Sequence, residues 1–379
     1  MRQGILTAAV AMFSCFSFVA HSQSAWPFWN QYATSFISPQ GRVIDPDRNA
    51  ITTSEGQSYA LFFALVANDA STFDRLLSWT EKNLANGDIG KQLPAWNWGT
   101  KQDGAMGVLD SNSAADADLW IAYTLFEAGR LWKNPAYTQK GRALLAQIAQ
   151  QEVTVVPGVG TVLLPGREGF HPDKDTWFLN PSYFPLPVLL GMAHDDPQGP
   201  WKRMAEALPI WLKEASPAGF AMDWVKCDAK GVSPAAQPGS SSEAAHGSYD
   251  AIRVYLWTGL AAREMPGQAQ LLTALAPMAK YVKTNGAPPE SVAPDGHILS
   301  TAAPTGFLAA TFPFLLAAGD VSTAEALLRN VKAQILQSSG LLGTPARYYD
   351  QNLALFALGW YEKRFRFAPD GTLRPAWKK

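Results

Sequence analysis

Two kinds of helical pattern alternate along this chain. Apolar residues recur at helical spacing in about twelve segments, near 27–37, 54–68, 70–86, 114–131, 136–152, 182–193, 198–215, 248–263, 267–284, 304–317, 321–337 and 350–364, with turn chemistry between them. Every second segment, beginning with 54–68, is strongly apolar and poor in Lys and Arg. The others are mixed, as in Phe73-Asp74-Arg75-Leu76-Leu77-Ser78-Trp79-Thr80-Glu81-Lys82. A helix that is apolar all round must be buried, whereas a striped helix covers a core with one face. The alternation therefore predicts an inner and an outer ring. Inner segments begin near 54, 114, 182, 248, 304 and 350, a loose repeat of roughly 50 to 70 residues, and six stacked helical hairpins of this kind can close on themselves. The expected fold is all-α, a six-hairpin (α/α)6 barrel with a few short β-hairpins in its loops. Residues 153–164 read as one such hairpin, turning at Pro157-Gly158-Val159-Gly160, and 291–300 as a second extended piece. Asp228 to Gly247, rich in Ala, Ser, Pro and Gly, reads as a mobile loop over the barrel rim.

In a closed ring of this type the inner helices all point the same way, so their N-terminal ends converge on one face. Three of them begin with carboxylates: Thr53-Ser54-Glu55-Gly56, Ala115-Asp116-Ala117-Asp118, and Gly247-Ser248-Tyr249-Asp250. Capping accounts for some acids in such places, with Ser113 or Asp116 accepting from free N–H groups at the start of the fourth segment, and negative charge there suits the helix dipole. Capping does not explain why three such starts should face one another across a cleft.

Composition narrows the options. The 379 residues, 47% of them hydrophobic, can bury a large core, and 31 basic against 32 acidic residues give a net charge of −1. No global field draws the chain to nucleic acid, to an anionic membrane or to a large polyanion. Met1-Arg2-Gln3 followed by an apolar run to Ala20 and then Ser22 and Ser24 reads as a signal peptide over 1–24, cut between Ser22 and Trp26. A single domain is then expected over 25–379, periplasmic or secreted. Cys15 falls in the leader and leaves Cys227 alone, so no intramolecular disulfide is expected. No later segment has the length of a membrane span. The five histidines, His21, His171, His194, His246 and His297, are scattered, and no metal or other cofactor is called for. Gly158-Val159-Gly160 lacks the third glycine of a dinucleotide fingerprint, and the stretch around Ser58 misses the nucleophile-elbow pattern.

Two opposed carboxyl groups are what glycoside hydrolysis needs: one donates a proton to the leaving oxygen while the other activates water or attacks the sugar carbon. Glu55, on its longer arm, suits the acid role, and Asp250 offers the second carboxylate. Four motifs make the resemblance specific. Ser54-Glu55-Gly56-Gln57, then Ala115-Asp116-Ala117-Asp118 with Ile121-Ala122 and Trp132, then Asn180-Pro181-Ser182-Tyr183, and Tyr249-Asp250-Ala251-Ile252-Arg253 together resemble glycoside hydrolase family 8 from about Trp26 to Phe367. Ala95-Trp96-Asn97-Trp98-Gly99 and Tyr348-Tyr349-Asp350-Gln351-Asn352 are similar to its periplasmic endoglucanases associated with bacterial cellulose synthase.

The resemblance implies the six-hairpin barrel and endo-acting hydrolysis of a β-1,4-glucan (cellulose) chain with inversion. It implies Glu55 as general acid, Asp250 as general base, Asp116 holding the sugar in a distorted ring, and Tyr183 placing the water. Tyr249 and Arg253, the latter placed one turn on to pair with Asp250, complete the motif. Inversion calls for carboxyl groups about 6.5–9.5 Å apart, against about 5 Å for retention. A role in cellulose production, with functional association with the synthase complex, is the accompanying expectation. The alternatives are another β-1,4-glycan on the same scaffold (xylan, chitosan or mixed-linkage glucan) or an idle glucan-binding partner of the synthase. Among the remaining residues, at least one of Trp96 and Trp98 is expected to stack on a sugar ring, the other reading being core packing, and Asp223 with Trp224 to line the far end of the cleft. Asp118 reads as a cap or a partner to Arg and Lys, Trp120 and Trp132 as core, and Glu243 and His246 as lesser rivals for the base.

Overall fold

The computed structural model describes residues 26–240 and 244–378. The expected leader and Glu243 lie outside the described residues. Thirteen α-helices run through the described residues: α1 Pro27–Phe36, α2 Ser54–Val66, α3 Ala70–Leu84, α4 Ala115–Leu131, α5 Pro135–Gln151, α6 Leu186–Asp195, α7 Trp201–Ala215, α8 Ala251–Leu260, α9 Gln268–Ala274, α10 Ala276–Asn285, α11 Thr305–Ala317, α12 Val321–Ala333 and α13 Tyr348–Tyr361. Helices α2, α4, α6, α8, α11 and α13 pack side by side in that order, and aromatic contacts from α13 back to α2 close the ring. The outer helices α3, α5, α7, α9 and α12 lie on the inner ones, and α1 pairs with α13. This is the (α/α)6 barrel expected from the alternating patterns.

The burial follows the chemistry of each pattern. Every residue of α2 except Glu55 is buried, and so is every residue of α8. In α7 the buried residues form one stripe, with Lys202, Arg203 and Glu206 facing out. The barrel lumen is filled by rings from the inner helices. Phe356 of α13 sits 4.6 Å from Phe63, 5.1 Å from Tyr59, 5.2 Å from Trp120 and 5.0 Å from Trp257 between ring centroids. Such pairs contribute about 0.5–1.5 kcal/mol each beyond their area. Trp120 belongs to this core, and Trp132 packs on Phe73, Tyr137 and Trp377, both as expected. Gly259 lets α8 and α11 touch backbone to backbone, because a Cβ there would lie 2.3 Å from the Phe314 nitrogen.

The two ends of the barrel differ. At the C-terminal end of the inner helices, a hairpin of Phe365–Phe367 and Leu373–Pro375 seats Phe365 against Phe62, and Tyr123 donates to the Gly371 carbonyl at 2.7 Å. The N-terminal end is open. It is bordered by a three-stranded sheet of Thr52–Thr53, Asn97–Thr100 and Met106–Asp110, another of Trp177–Leu179, Trp224–Asp228 and Gly231–Ala235, and a two-stranded pairing of Ser291–Val292 with Ile298–Ser300, where a short extended piece was expected.

Several elements depart from the sequence expectation. The segment 267–284 is two helices, because Pro277 cannot continue an α9 hydrogen-bond ladder. The segment 182–193 opens as a 3₁₀ turn, Pro181–Tyr183, and turns α-helical only at Leu186, after Pro185. The stretch 228–247 is not all loop: Gly231–Ala235 pairs with Trp224–Asp228 as a strand. Helix α4 has Ala114 as its N-cap and no side-chain cap, so the capping expected of Ser113 is absent. Ser113 instead donates to Glu152 at 2.5 Å.

Candidate active site

The three carboxylate-bearing helix starts meet, and each motif has a local reason. At α2, Thr53 Oγ1 accepts the Gly56 N–H at 3.0 Å, which caps the helix and leaves the Glu55 carboxylate unengaged by its own backbone. Gly56 carries no Cβ because one would lie 2.3 Å from the Tyr348 hydroxyl, the ring that roofs this turn. Gln57, fully buried, accepts from Val43 N at 2.6 Å and donates to Thr80 Oγ1 at 2.8 Å, so the turn that carries Glu55 is tied to the loop before it. On the opposite side, Asn180 Oδ1 accepts from both the Ser182 N–H and hydroxyl, and the Ser182 carbonyl accepts from Trp257 Nε1 at 3.0 Å. That fixes the Ser182 hydroxyl as an acceptor pointing into the centre.

Arg253 of α8 occupies that centre. Buried and 3% exposed, it donates through Nη1 to Glu55 Oε2, and through Nη2 to Asp250 Oδ1 at 2.7 Å and Ser182 Oγ at 2.9 Å. Asp116 Oδ2 stands 4.0 Å from the same Nη2, and the Tyr183 ring lies under the guanidinium at 5.9 Å. One cation thus joins acids drawn from α2, α4 and the start of α8. Burial works against its charge, but Glu55 and the other surrounding groups outweigh it and hold Arg253 protonated.

Asp116 differs from the other two acids. Its Oδ1 accepts the Ala117 N–H at 2.8 Å, while Oδ2 is buried without a hydrogen-bond partner. Burial and then the nearby Glu55 charge push its pKa up to about 8, with Arg253 opposing the shift. Such an unmatched buried oxygen costs free energy unless a ligand hydroxyl meets it. Burial, followed by the nearby acids, also drives the Tyr183 pKa upward, so its hydroxyl remains a donor.

Glu55, Asp250 and Arg253 line a cavity of about 440 Å³ together with Tyr249, Tyr348 and Tyr349. Tyr249 is exposed, packs on Phe307 and Tyr349, and donates to Glu290 Oε1 at 3.3 Å. Asp45, Asp47, Arg48, Arg347 and Asp350 also form its wall, and sequence reading assigned them no role. Two of these acids serve backbone: Asp47 Oδ2 accepts from Tyr348 N at 2.9 Å at the start of α13, and Asp350 receives the Gly306 N–H at the start of α11. The turn Asp45-Pro46-Asp47-Arg48 and the Tyr348–Asn352 motif were the available signals.

Three expectations need correction. Trp98 is not a free stacking surface, since Arg42 sits 4.5 Å over its ring and Trp79 packs against it at 5.2 Å. Trp96, half-buried, carries no such cover among the described ring contacts. Trp224 is buried and stacked on Phe170 at 5.7 Å, and Asp223 lies not at the far end of the cleft but against the segment that carries Asp250. Asp118 pairs with an acid, not with Arg or Lys: its carboxyl meets Glu152 in the interior, and Arg167 is only a more distant influence. His246, a lesser rival for the base, faces Asp223 at 3.4 Å.

Residues 3–363 match the model of glycosyl hydrolases family 8. The endoglucanase of Xanthomonas axonopodis pv. citri (strain 306) is 43% identical, covering 100% of this chain and 96% of its own, and that of Escherichia coli (strain K12) is also 43% identical, covering 100% and 97%. The crystal structure of endo-1,4-D-glucanase from Vibrio fischeri ES114 superimposes with a TM-score of 0.85 at 41% identity, over 93% of this chain and 100% of that one.

Proposed function

This chain belongs to the glycosyl hydrolases of family 8, and from that premise we propose that it is an endo-1,4-β-glucanase that cleaves β-1,4-glucan with inversion of the anomeric carbon. The observation that carries the reading is the meeting of Glu55 and Asp250, from two different inner helices, on the single guanidinium of Arg253 at the floor of an open cleft. Glu55 delivers its proton to the glycosidic oxygen as the bond to the anomeric carbon breaks. Asp250 takes a proton from a water that attacks that carbon from the opposite face, with Tyr183 beside it to place the water. Asp116 offers its unmatched Oδ2 to a hydroxyl of the sugar at the cleavage point, holding the ring in a distorted form.

The test is release of reducing ends from carboxymethylcellulose by the wild type, Glu55→Gln and Asp250→Asn. Both variants are expected to lose activity by about 10²–10⁴-fold, the usual size of a general acid or base contribution. Wild-type activity in either one removes that residue from its role. A dinitrophenyl leaving group needs no protonation, so Glu55→Gln should regain activity on such a substrate and Asp250→Asn should not.

The reading extends to place and process. The charged start and apolar run of residues 1–24 support export with cleavage near Ser24, which N-terminal sequencing of the exported protein checks. The likeness of the 95–99 and 348–352 motifs to endoglucanases associated with cellulose synthase supports a role in trimming cellulose during its production. Deletion in a cellulose-producing host should then alter the chain length of the polymer.

A further inference from the structure

Helix α8 begins in an unusual way for a helix with an acid at its N-cap. Asp250 occupies the N-cap with φ −80° and ψ −49°, and its side chain makes no capping hydrogen bond. Its carboxylate, 31% exposed, is turned instead to Arg253 and the cleft. Because Asp250 already has helical backbone angles, the amides two and three residues on are met by backbone, Ile252 donating to the Ser248 carbonyl at 3.0 Å and Arg253 to the Asp250 carbonyl at 3.1 Å, and it is the Ala251 N–H that lacks an intrahelical acceptor. Asp223, from the segment just before the strand Trp224–Asp228, supplies it: Oδ1 accepts from Ser248 N and from Ala251 N, both at 2.7 Å. One oxygen thus clasps the backbone on either side of Asp250. The other oxygen, Oδ2, faces His246 Nε2 at 3.4 Å, and the Asp223 N–H donates to the His246 carbonyl at 2.9 Å.

The rest of the segment is fastened at neighbouring points. Gly247 and Val292 exchange backbone hydrogen bonds at 2.9 and 3.0 Å, Ser248 Oγ donates to the Glu290 carbonyl at 2.6 Å, and the Tyr349 hydroxyl donates to the Tyr249 carbonyl at 2.6 Å. Asp223 is 8% exposed and is not among the residues that line the cavity. Its hydrogen bonds meet the site through the backbone segment that carries Asp250.

We infer that Asp223 is a positioning residue for Asp250: by accepting from the N–H groups of Ser248 and Ala251 it fixes the turn that carries Asp250, whose own carboxylate stays turned to the cleft to face the water. The inference rests on the reading of Asp250 as the general base. A capping carboxylate held by two N–H groups fixes its target far more closely than a loop contact, and a catalytic group displaced by an ångström loses much of its effect.

The experiment measures kcat and KM for Asp223→Ala, Asp223→Asn and Asp250→Asn on carboxymethylcellulose and on a dinitrophenyl cello-oligosaccharide, with thermal melting as a check on folding. Asp223→Ala is expected to lower kcat by about 30-fold on both substrates with KM little changed, because a good leaving group replaces the acid and not the base. Asp223→Asn keeps an oxygen for both N–H groups and should stay within about 5-fold of wild type. Unchanged kcat in Asp223→Ala, a rise in KM alone, or equal damage in Asp223→Asn would each overturn the inference. If Asp223→Ala does not fold, Asp223→Glu, which moves the acceptor by one methylene, should show the same kcat loss, and full kcat there is contrary. Activity retained in Asp250→Asn overturns the base assignment itself and the inference with it. Loss in Asp250→Asn beside a fully active Asp223→Ala overturns the inference alone.

Discussion

Asp116 and Asp118 stand two residues apart at the start of α4, both buried, and belong to different neighbourhoods. Asp116 faces the cleft, 4.0 Å from Arg253, with one oxygen bonded to the Ala117 N–H and the other unmatched. Asp118 faces the barrel wall, where its carboxyl adjoins that of Glu152, which in turn accepts from Ser113. The cleft cluster gathers three acids around a cation and opens to solvent through Glu55 and Asp250. The wall pair is sealed, and burial pushes both its pKa values up, that of Glu152 to about 7. An acid at a helix start is therefore no evidence for chemistry by itself. What separates the two regions is a shared cation and an opening to solvent on the cleft side, against two adjoining acids and no opening on the other.

Breaking the cation should have the largest effect. Arg253→Lys keeps the charge but cannot serve Glu55, Asp250 and Ser182 from one planar group, and a fall of about 10³-fold in kcat/KM on carboxymethylcellulose is expected, with far-UV circular dichroism confirming the fold. Full activity would mean that the cluster does not depend on the bridge. Next in size is the same substitution made at the two neighbouring acids. Asp116→Asn preserves the acceptor for Ala117 but turns a donor toward Arg253 and the sugar, so kcat should drop by about 10²-fold. Asp118→Asn preserves a donor to Glu152, and kcat should remain within about 3-fold of wild type. Equal losses would dissolve the distinction between cleft and wall.

The smallest effect sharpens the wall side. The folded chain holds protons on Asp118 and Glu152 that the unfolded chain releases near the ordinary carboxylate range of about pH 4. Between that pH and about 7 the folded state binds more protons, so their contribution to stability is full at low pH and is lost as pH rises. Asp116, raised to about 8, acts with the same sign. Asp118→Asn removes one of these groups and should raise the melting temperature at pH 8 by about 1–3 °C relative to wild type, with no gain at pH 4. A melting point that fell at pH 8 would contradict a protonated Asp118.

The ring of helices was legible because burial leaves a mark on composition: α2 and α13, buried almost all round, are apolar almost all round. Glu55, Asp116 and Asp250 were legible as acids at the starts of inner helices, and the motifs ordered their roles. What sequence could not show was which side of a residue is covered. Trp98 has the composition and loop setting of a stacking residue, yet Arg42, distant in sequence, lies on its face. Asp223 sat next to a tryptophan and looked like a cleft wall, while its role at α8 depends on a contact with backbone 25 and 28 positions away. Short strands such as Trp177–Leu179 and Gly231–Ala235 have too few residues for alternation to register, and Pro234 argued against the second. The split of α9 from α10 was readable at Pro277 but was outweighed by an unbroken apolar stripe.

The central claim, that Glu55 and Asp250 act as acid and base on opposite faces of one sugar, is tested most directly by proton NMR of cello-oligosaccharide hydrolysis in its first minutes, before the anomers equilibrate. The α-anomer is predicted as the first-formed reducing end. The β-anomer appearing first would show retention and would make one of the two carboxylates a nucleophile instead.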